Sequence, residues 1–293
     1  MVPFTLNVTL KSMRIKQYTY FLIFSMFVIA SSFAQEKILY KQVDTTDLVM
    51  EVHRPPNMDS TINYPAMVFF FGGGWKGGTI KHFEHHAQYF SKRGIVCFLV
   101  DYRVESRQGT TPFESLKDAK SAIRFVRANA EKFQIDPDKL IASGGSAGGH
   151  LAAATALIDD YNEATDDLSQ SSIPNALVLY NPVIDNGPGG YGYERVGDSY
   201  KDFSPLHNIK KDAPPTIIFL GTKDKLIPVK TMEYYKTVME KVGSRCELHL
   251  YENEPHGFFN YDKLENYKKT VIETDKFLQS LGYLSENSEV AIE

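Results

Sequence analysis

The chain has 293 residues, which is enough for one large domain or two small ones. Hydrophobic residues make up 43% and charged residues 23%, a composition typical of soluble globular proteins. The formal net charge of −4 excludes the strongly basic surface that nucleic-acid-binding domains carry, so no nucleic-acid partner is expected.

The N-terminal segment has the features of a secretory signal peptide. A short basic stretch at residues 14–18 precedes the apolar run Phe21–Ala30, and residues 31–34 then offer a cleavage site with small side chains. The apolar run is too short to remain in a bilayer as a spanning helix. Residues 1–34 are therefore predicted to be a signal peptide, and the sequence leaves open whether translation starts at Met1 or at Met13, directly before the basic stretch. The mature protein is expected to be secreted or periplasmic, without stable membrane insertion.

From residue 35 onward, strand-like and helix-like segments alternate, which predicts an α/β domain over residues 35–283. The predicted strands are Ile38–Val43, Leu48–His53, Ala66–Phe71, Ile95–Tyr102, Lys139–Ser143, Ala176–Tyr180, Thr216–Leu220 and Glu247–Tyr251. The predicted helices are His82–Lys92, Ser115–Phe133, Ala147–Leu157, Val229–Val242 and Leu264–Leu281. This pattern is typical of a mostly parallel eight-stranded sheet with helices on both faces.

Three segments stand outside this alternation, and the first, Asp159–Pro174, is polar and loop-like. Residues 185–199 are dense in Gly and Tyr and are predicted to form a binding loop, whose Tyr191 and Tyr193 suit contacts to a sugar or an acyl group. A surface excursion without a binding role stays open as the alternative. The acidic residues 284–293 are predicted to be a disordered tail.

The strongest chemical signal is the sequence Gly144-Gly145-Ser146-Ala147-Gly148, which matches the pattern G-x-S-x-G. In that pattern a sharp strand-to-helix turn presents a serine above the edge of a sheet. The predicted strand before it and the predicted helix after it supply the required setting. We therefore predict that Ser146 is a nucleophile, with the positive end of the following helix behind it.

A glycine run follows the third predicted strand, at Phe71-Gly72-Gly73-Gly74-Trp75. Acyl transfer creates an oxyanion that needs preorganised N–H donors, and glycines allow main-chain amides to turn toward it. The predicted oxyanion hole consists of the amides of Gly72, Gly73 and Ala147. Trp75 either stacks on a sugar or packs beneath the hole, and the sequence leaves both interpretations open.

An acid and a histidine must follow the serine along the chain in this fold. Asp224 lies just after the strand Thr216–Leu220, and His256 lies just after the last strand. Strands of a parallel sheet end at a shared edge, so these side chains are predicted to meet Ser146. His256 would take the Ser146 proton, and Asp224 would set the histidine tautomer and stabilise the imidazolium. Asp185, after the strand Ala176–Tyr180, is the alternative acid.

These motifs resemble those of α/β-hydrolase-fold serine esterases, over nearly the whole of the mature chain. The resemblance is carried by five segments: Phe69–Gly78, Asp101-Tyr102-Arg103, Gly144–Ala153, Gly221–Pro228 and Pro255–Asn260. It is nearest to the carbohydrate-esterase-like branch, which includes acetyl and feruloyl esterases and is related to hormone-sensitive lipase. Many relatives carry a histidine where Phe71 stands, and that histidine supports the hole. Only short strands precede the glycine run, so no large cap domain is expected.

The resemblance implies hydrolysis of carboxylic esters through an acyl-enzyme, on a small ester or an esterified polysaccharide such as an O-acetylated glycan. It implies no cofactor and no metal. Two alternatives stay open: a serine peptidase of the prolyl-oligopeptidase type, and a catalytically silent binding protein on the same fold. The sequence leaves the oligomeric state open.

Three further patterns are interpreted as structural. His82, His85 and His86 are predicted to form a solvated helix surface rather than a metal site. Residues Asp101 and Arg103 are predicted to pair with each other at a strand end. Cys97 and Cys246 lie in strands expected to be far apart, so two buried thiols are predicted rather than a disulfide.

Overall fold

Eight strands form one sheet in the computed structural model, which describes residues 36–286 and 290–292. In chain order they are β1 Glu36–Val43, β2 Thr46–His53, β3 Tyr64–Phe70, β4 Val96–Val100, β5 Ile135–Gly145, β6 Ala176–Tyr180, β7 Thr216–Gly221 and β8 Cys246–Tyr251. Their order across the sheet is β1-β2-β4-β3-β5-β6-β7-β8. The pairs β1–β2 and β2–β4 are antiparallel and all others are parallel, which confirms the predicted sheet. The predicted signal peptide lies outside the described residues.

The helices lie between the strands along the chain, except for the last helix, which follows β8. They are α1 Glu84–Lys92, α2 Glu105–Gln108, α3 Pro112–Ala128, α4 Ala130–Phe133, α5 Ala147–Leu157, α6 Tyr193–Val196, α7 Tyr200–Phe203, α8 Val229–Lys241 and α9 Leu264–Ser280. Short 3₁₀ turns occur at Ile80–Phe83, Gly197–Ser199 and Pro205–Asn208. The connection between β6 and β7 contains only helices of three or four residues, so it forms no large cap.

The helix predicted over Ser115–Phe133 is in fact two helices. α3 begins earlier, at Pro112, because Thr111 and Glu114 form a capping box and proline is favoured at the first helical position. It ends at Ala128, where the C-cap residue Asn129 donates from its Nδ2 to the carbonyl of Phe125 at 2.8 Å. That hydrogen bond satisfies a carbonyl of the last turn and separates α3 from α4.

Side chains that alternate along the central strands divide the hydrophobic core into two clusters. In β3, Ala66, Val68 and Phe70 belong to one cluster, while Met67 and Phe69 belong to the other. Successive side chains of a strand point to opposite faces, so the two clusters cover the two faces of the sheet. The first cluster includes residues of α3, α5 and α8, and the second includes residues of α1 and α9. Helices on both faces explain why β3 is apolar throughout.

The core extends beyond the predicted domain end at residue 283. Leu284 is buried in the second cluster, and Arg93 donates to the carbonyl of Ser285 at 2.9 Å. Val290 and Ile292 also pack against this cluster. The prediction of a disordered tail is therefore wrong for Leu284, Val290 and Ile292, because the apolar side chains of these residues pack against the second cluster.

The predicted pairing of Asp101 with Arg103 is also wrong. Arg103 instead makes two hydrogen bonds of 2.8 Å to the buried carboxylate of Asp118, which Lys41 also contacts at 2.7 Å. Asp101 pairs instead with Arg107, which lies in α2, four residues after Arg103. Buried charges are retained where they are paired, and this cluster links β1, α3 and the end of β4.

Cys97 and Cys246 are both buried and free, as predicted. They lie in β4 and β8, which have four strands between them in the sheet. Burial raises the pKa of the Cys97 thiol. Among the residues that the structure describes, no helix combines the length and apolar content needed to cross a bilayer.

The solvated histidine surface predicted for residues 82–86 is wrong at two positions. His82 is half-buried beside the glycine run, and His86 is only 1% exposed. The His86 ring is surrounded by aromatic rings, namely those of Phe69, Phe83, Tyr180, Phe259 and Tyr267. Within the described ranges, neither ring nitrogen of His86 has a hydrogen-bond partner. No group of three or more His, Cys, Asp or Glu residues there is arranged to hold a metal ion.

We expect His86→Leu to stabilise the protein, by about 1–3 kcal/mol at pH 7.5, because it removes unsatisfied buried polar atoms. Burial holds the pKa of His86 well below its usual value. The unfolded chain therefore binds a proton that the folded chain does not, and wild-type stability falls as the pH drops below about 6.5. The stability gained by His86→Leu should therefore be larger at pH 5 than at pH 7.5.

Urea unfolding at both pH values measures the difference in unfolding free energy between His86→Leu and wild type. His85→Leu, one residue earlier in α1, serves as the control, and a His86→Leu variant less stable than wild type at both pH values would contradict the interpretation.

Candidate active site

Ser146 occupies a strained turn between β5 and α5. Its backbone has φ 54° and ψ −119°, a conformation that costs a non-glycine residue about 1–3 kcal/mol. The surrounding structure maintains it, since the Ser146 amide donates to the carbonyl of Tyr180 at 2.9 Å and its carbonyl accepts from the amide of His150 at 3.0 Å. The turn leaves the hydroxyl projecting from the carboxyl edge of the sheet, as the G-x-S-x-G pattern predicts.

The two flanking glycines of the motif are required by close backbone contacts. A Cβ atom on Gly144 would lie 2.3 Å from the carbonyl oxygen of Gly148. A Cβ atom on Gly148 would lie 2.1 Å from the carbonyl oxygen of Phe70 and 2.4 Å from that of Phe71. Strand β5, helix α5 and the end of β3 therefore meet backbone to backbone beneath Ser146.

The structure brings Ser146, His256 and Asp224 together in one hydrogen-bonded chain. His256 Nε2 lies 3.0 Å from Ser146 Oγ, and His256 Nδ1 lies 2.6 Å from Asp224 Oδ2. The Asp224 side chain is 0% exposed, and its Oδ1 accepts the amides of Leu226 at 2.8 Å and Ile227 at 3.0 Å. A carboxylate beside Nδ1 places the imidazole proton there, which leaves Nε2 free to accept from the serine.

Asn181 supports the histidine loop, a role that the sequence analysis missed. It follows β6 at the same sheet edge, and its Oδ1 accepts the amide of Gly257 at 2.9 Å. Its Nδ2 lies 3.4 Å from His256 Nε2. The available signal was its position directly after a predicted strand of the parallel sheet.

The three predicted donors of the oxyanion hole do not all remain free. The Ala147 amide is at the first position of α5, where a helix offers no internal acceptor. Gly73 lines the cavity beside Ser146. The Gly72 amide, however, donates to His82 Nδ1 at 2.9 Å. The assignment of Gly72 to the hole is therefore corrected, which leaves the amides of Gly73 and Ala147 as the candidate donors.

A cavity of about 260 Å³ opens above these groups. It is lined by the glycine run, the serine and histidine, and residues of the loops around them: Gly72, Gly73, Gly74, His82, Ser146, Asn181, Tyr191, Leu226, His256, Gly257, Phe259 and Asn260. Its lining combines polar groups, among them Ser146, Asn181 and His256, with the apolar side chains of Leu226 and Phe259. This arrangement suits a small molecule with one reactive polar group.

Of the three predicted substrate contacts, only Tyr191 lies in this cavity. Trp75 is 1% exposed and packs against the rings of His150 and Phe203, which favours the second of its two interpretations, packing beneath the hole, over stacking on a sugar. Tyr193 is not among the residues that line this cavity; its half-buried ring lies beside that of Tyr200, and its predicted substrate contact stays a prediction.

A second cavity, of about 220 Å³, adjoins the first and shares Tyr191 and Leu226 with it. Its other lining residues are Ile184, Asp185, Pro188, Gly189, Gly190, Ile227, Pro228 and Thr231. Asp185 accepts the amide of Gly187 at 2.9 Å, whereas Asp224 contacts His256. The alternative assignment of Asp185 as the acid beside the histidine is thus not supported.

Two families match the sequence in turn. Residues 50–188 match the BD-FAE family, and residues 188–281 match the dienelactone hydrolase family. A probable carboxylic ester hydrolase, LipM, from Mycobacterium tuberculosis is 26% identical over 258 residues, or 78% of this chain and 57% of the relative. An acetylxylan esterase from Xylanibacter ruminicola is 29% identical over 214 residues, or 66% of this chain and 41% of the relative. The chain spans about half the length of these curated relatives.

Solved structures are more similar than these relatives. Thermogutta terrifontis esterase 2 in its apo form matches with a TM-score of 0.83 and 41% identity, over 86% of this chain and 97% of the other. A propionate-bound structure of the Thermogutta terrifontis esterase matches with a TM-score of 0.82 and 40% identity, over 88% and 98% of the two chains. The similarity therefore covers almost the whole of these solved chains.

Proposed function

The chain belongs to the α/β-hydrolase-fold esterases, and from this premise we propose that it hydrolyses carboxylic esters through an acyl-enzyme on Ser146. One observation carries the proposal: a serine at 3.0 Å from a histidine that a buried carboxylate orients at 2.6 Å. Ala147 follows the serine directly at the start of α5, and Gly73 lines the same cavity. Nucleophile, base, orienting acid and oxyanion donors are the parts that acyl transfer from an ester requires.

In the acylation step, His256 Nε2 takes the proton of Ser146 as Oγ bonds to the ester carbonyl carbon. The carbonyl oxygen becomes an oxyanion, which the amides of Gly73 and Ala147 stabilise by hydrogen bonds. Asp224 stabilises the imidazolium that forms. When the tetrahedral intermediate collapses, the bond to the alcohol oxygen breaks, and His256 returns the proton to that oxygen.

In the deacylation step, water replaces the alcohol. His256 takes a proton from the water as its oxygen bonds to the acyl carbon, and the same two amides hold the second oxyanion. The bond to Ser146 Oγ then breaks, His256 returns the proton to Oγ, and the carboxylic acid leaves. The enzyme is restored without any further reactant.

We propose a short acyl group on a carbohydrate as the substrate. A cavity of about 260 Å³ is small for a ligand site, which favours an acetyl group over long acyl chains. The adjoining cavity offers the carboxylate of Asp185 and the hydroxyl of Thr231, groups that suit sugar hydroxyls. The acetylxylan esterase among the relatives supports a carbohydrate as the alcohol part of the ester. The propionate bound in the Thermogutta terrifontis esterase supports a short acyl group. Export through the predicted signal peptide would bring the enzyme to polysaccharides outside the cytoplasm.

A panel of esters tests this proposal. We expect release of acetate from acetylated xylo-oligosaccharides and from p-nitrophenyl acetate. Turnover of p-nitrophenyl octanoate should be at least about tenfold slower, because a pocket discriminates roughly tenfold or more per poorly placed methylene. Acetate assays and p-nitrophenol absorbance measure both rates.

Ser146→Ala serves as the blank for every substrate in the panel. Turnover of a prolyl-p-nitroanilide without ester hydrolysis would favour a peptidase instead. A wild-type protein inert toward all substrates would favour a silent binding protein. Faster octanoate than acetate turnover would leave ester hydrolysis intact but overturn the choice of acyl group.

A further inference from the structure

Side chains from three separate parts of the chain hold the glycine run that supplies the oxyanion hole. The Tyr102 hydroxyl donates to the carbonyl of Phe71 at 2.6 Å. His82 Nδ1 accepts the amide of Gly72 at 2.9 Å, and the Arg195 guanidinium donates to the carbonyl of Gly74. Gly73, whose amide is the oxyanion donor, is therefore fixed through both of its neighbours.

The restraint matters at the peptide between Gly72 and Gly73, because the carbonyl side of Gly73 is already held: it accepts the amides of Lys76 at 3.0 Å and Gly77 at 3.3 Å. Gly73 has φ 134°, a conformation that side chains disfavour, and glycine backbone rotates with little steric hindrance. The peptide that carries the Gly73 amide joins it directly to Gly72. A hydrogen bond on the Gly72 amide therefore limits the rotation that would turn the Gly73 amide away from the oxyanion.

His82 can hold the Gly72 amide only in one protonation state. A ring nitrogen that accepts from an amide carries no proton, so the proton lies on Nε2, which donates to Asn260 Oδ1 at 2.8 Å. Burial lowers the pKa of His82, and this favours the neutral ring that the geometry requires. Both ring nitrogens are thus engaged in defined directions.

Asn260 belongs to the loop that carries His256. The backbone amide of Asn260 donates to the carbonyl of Gly257 at 3.1 Å, and Gly257 directly follows His256. The chain of hydrogen bonds from Gly72 through His82 to Asn260 therefore connects the oxyanion donor with the loop of the general base. The His82 ring also packs close to Gly145, one residue before the nucleophile.

We propose that His82 is a positioning residue for the reaction, holding the Gly73 amide toward the oxyanion and tying the glycine run to the His256 loop. This inference rests on the proposed ester hydrolysis. Phe71, at the position before the run, cannot supply such a hydrogen bond, because its ring is apolar and stacks on Tyr102 at 4.0 Å. The imidazole comes instead from the 3₁₀ turn Ile80–Phe83.

His82→Phe and His82→Asn separate this role from simple packing. Phenylalanine keeps an aromatic ring but offers no acceptor, whereas asparagine places Oδ1 where the histidine has Nδ1. Loss of a complete oxyanion donor lowers kcat about 10²–10³-fold, so a loosened donor in His82→Phe should lower kcat by about 10–100-fold. KM for p-nitrophenyl acetate should change less than about twofold, since the donor acts on the transition state. His82→Asn should recover kcat to within about fivefold of wild type, because the Gly72 hydrogen bond returns.

Three controls keep the result interpretable. Stoichiometric phosphorylation by paraoxon, read as released p-nitrophenol, counts competent Ser146 sites and normalises every kcat. His207→Asn makes the same chemical change at an exposed histidine and should match wild type. If His82→Phe does not fold, His82→Ala replaces it in the comparison.

A kcat for His82→Phe within about threefold of wild type, or a His82→Asn variant no faster than His82→Phe, overturns the positioning role. Both results presuppose an active wild type. A wild-type protein without ester turnover would instead overturn the proposed function, so the two failures are distinguishable.

Discussion

Replacing Asp224 by asparagine should lower kcat/KM for ester hydrolysis by about 10⁴-fold while leaving the fold intact. The side chain is fully buried, and its two oxygens have different partners. Oδ1 accepts the amides of Leu226 and Ile227, and Oδ2 faces His256 Nδ1 at 2.6 Å. Asparagine has nearly the same shape, so its orientation is decided by these partners.

The amides of Leu226 and Ile227 are donors, so the asparagine oxygen must face them and its NH₂ group must face His256. A donor opposite Nδ1 forces that nitrogen to accept, which moves the imidazole proton to Nε2. With a proton on Nε2, His256 cannot take the proton of Ser146, and the acylation step stops. The loss therefore arises from the wrong tautomer rather than from a displaced ring.

Steady-state hydrolysis of p-nitrophenyl acetate measures this loss, and thermal unfolding checks that Asp224→Asn folds. Asp185→Asn tests the alternative acid in the same assay. A larger loss in Asp185→Asn than in Asp224→Asn would reverse the assignment of the acid. Equal activity of Asp224→Asn and wild type would show that the 2.6 Å contact has no part in the reaction.

The sheet could be predicted from the sequence because its signals are local. The run Ala66–Phe71 is apolar throughout, as a strand covered on both faces must be, and each later strand is bounded by a helix or a turn. The break between α3 and α4 was missed because helical periodicity continues to Phe133, which is buried. Only the hydrogen bond from Asn129 to Phe125 marks the interruption.

The placement of Ser146, Asp224 and His256 could be predicted because each follows a strand that ends at the same sheet edge. The hydrogen bond of the Gly72 amide could not be predicted, because its acceptor is the side chain of His82, ten residues away on a different element. The spacing of the three histidines suggested one helical face, yet His82 lies in a 3₁₀ turn that precedes α1. With three residues per turn instead of 3.6, that turn directs His82 toward the glycine run rather than along the helix surface.

The burial of Trp75 could not be predicted from the local sequence pattern either. The sequence leaves two interpretations of Trp75 open, because the direction of its side chain depends on the conformation of the glycine run. Trp75 has φ 58° in that run, a conformation that helical or strand periodicity does not encode. The structure places its ring under that run, beside Arg195, whose guanidinium lies 5.1 Å from the ring. Arg195 comes from the Gly- and Tyr-rich loop, so this loop supports the site as well as bordering it.

Gly148→Ala should lower the free energy of unfolding by more than about 4 kcal/mol. The new Cβ would lie 2.1 Å from the carbonyl oxygen of Phe70 and 2.4 Å from that of Phe71. Both obstacles are backbone atoms at the end of β3, which pairs with strands on both sides and cannot move away. Helical backbone suits alanine, so the expected loss is purely steric.

Thermal unfolding followed by circular dichroism measures this effect, and the melting temperature should fall by at least about 10 °C, or the variant should be insoluble. Gly77→Ala is the matched control, because a Cβ there meets only Ser106 Oγ, at 3.4 Å. Phe70 and Phe71 lead directly into the glycine run, while Gly148 follows Ala147. Any relief of the clash therefore separates the two oxyanion donors, so even a folded Gly148→Ala variant should lose activity. A variant with both wild-type stability and wild-type turnover would contradict the close strand–helix approach on which the site is built.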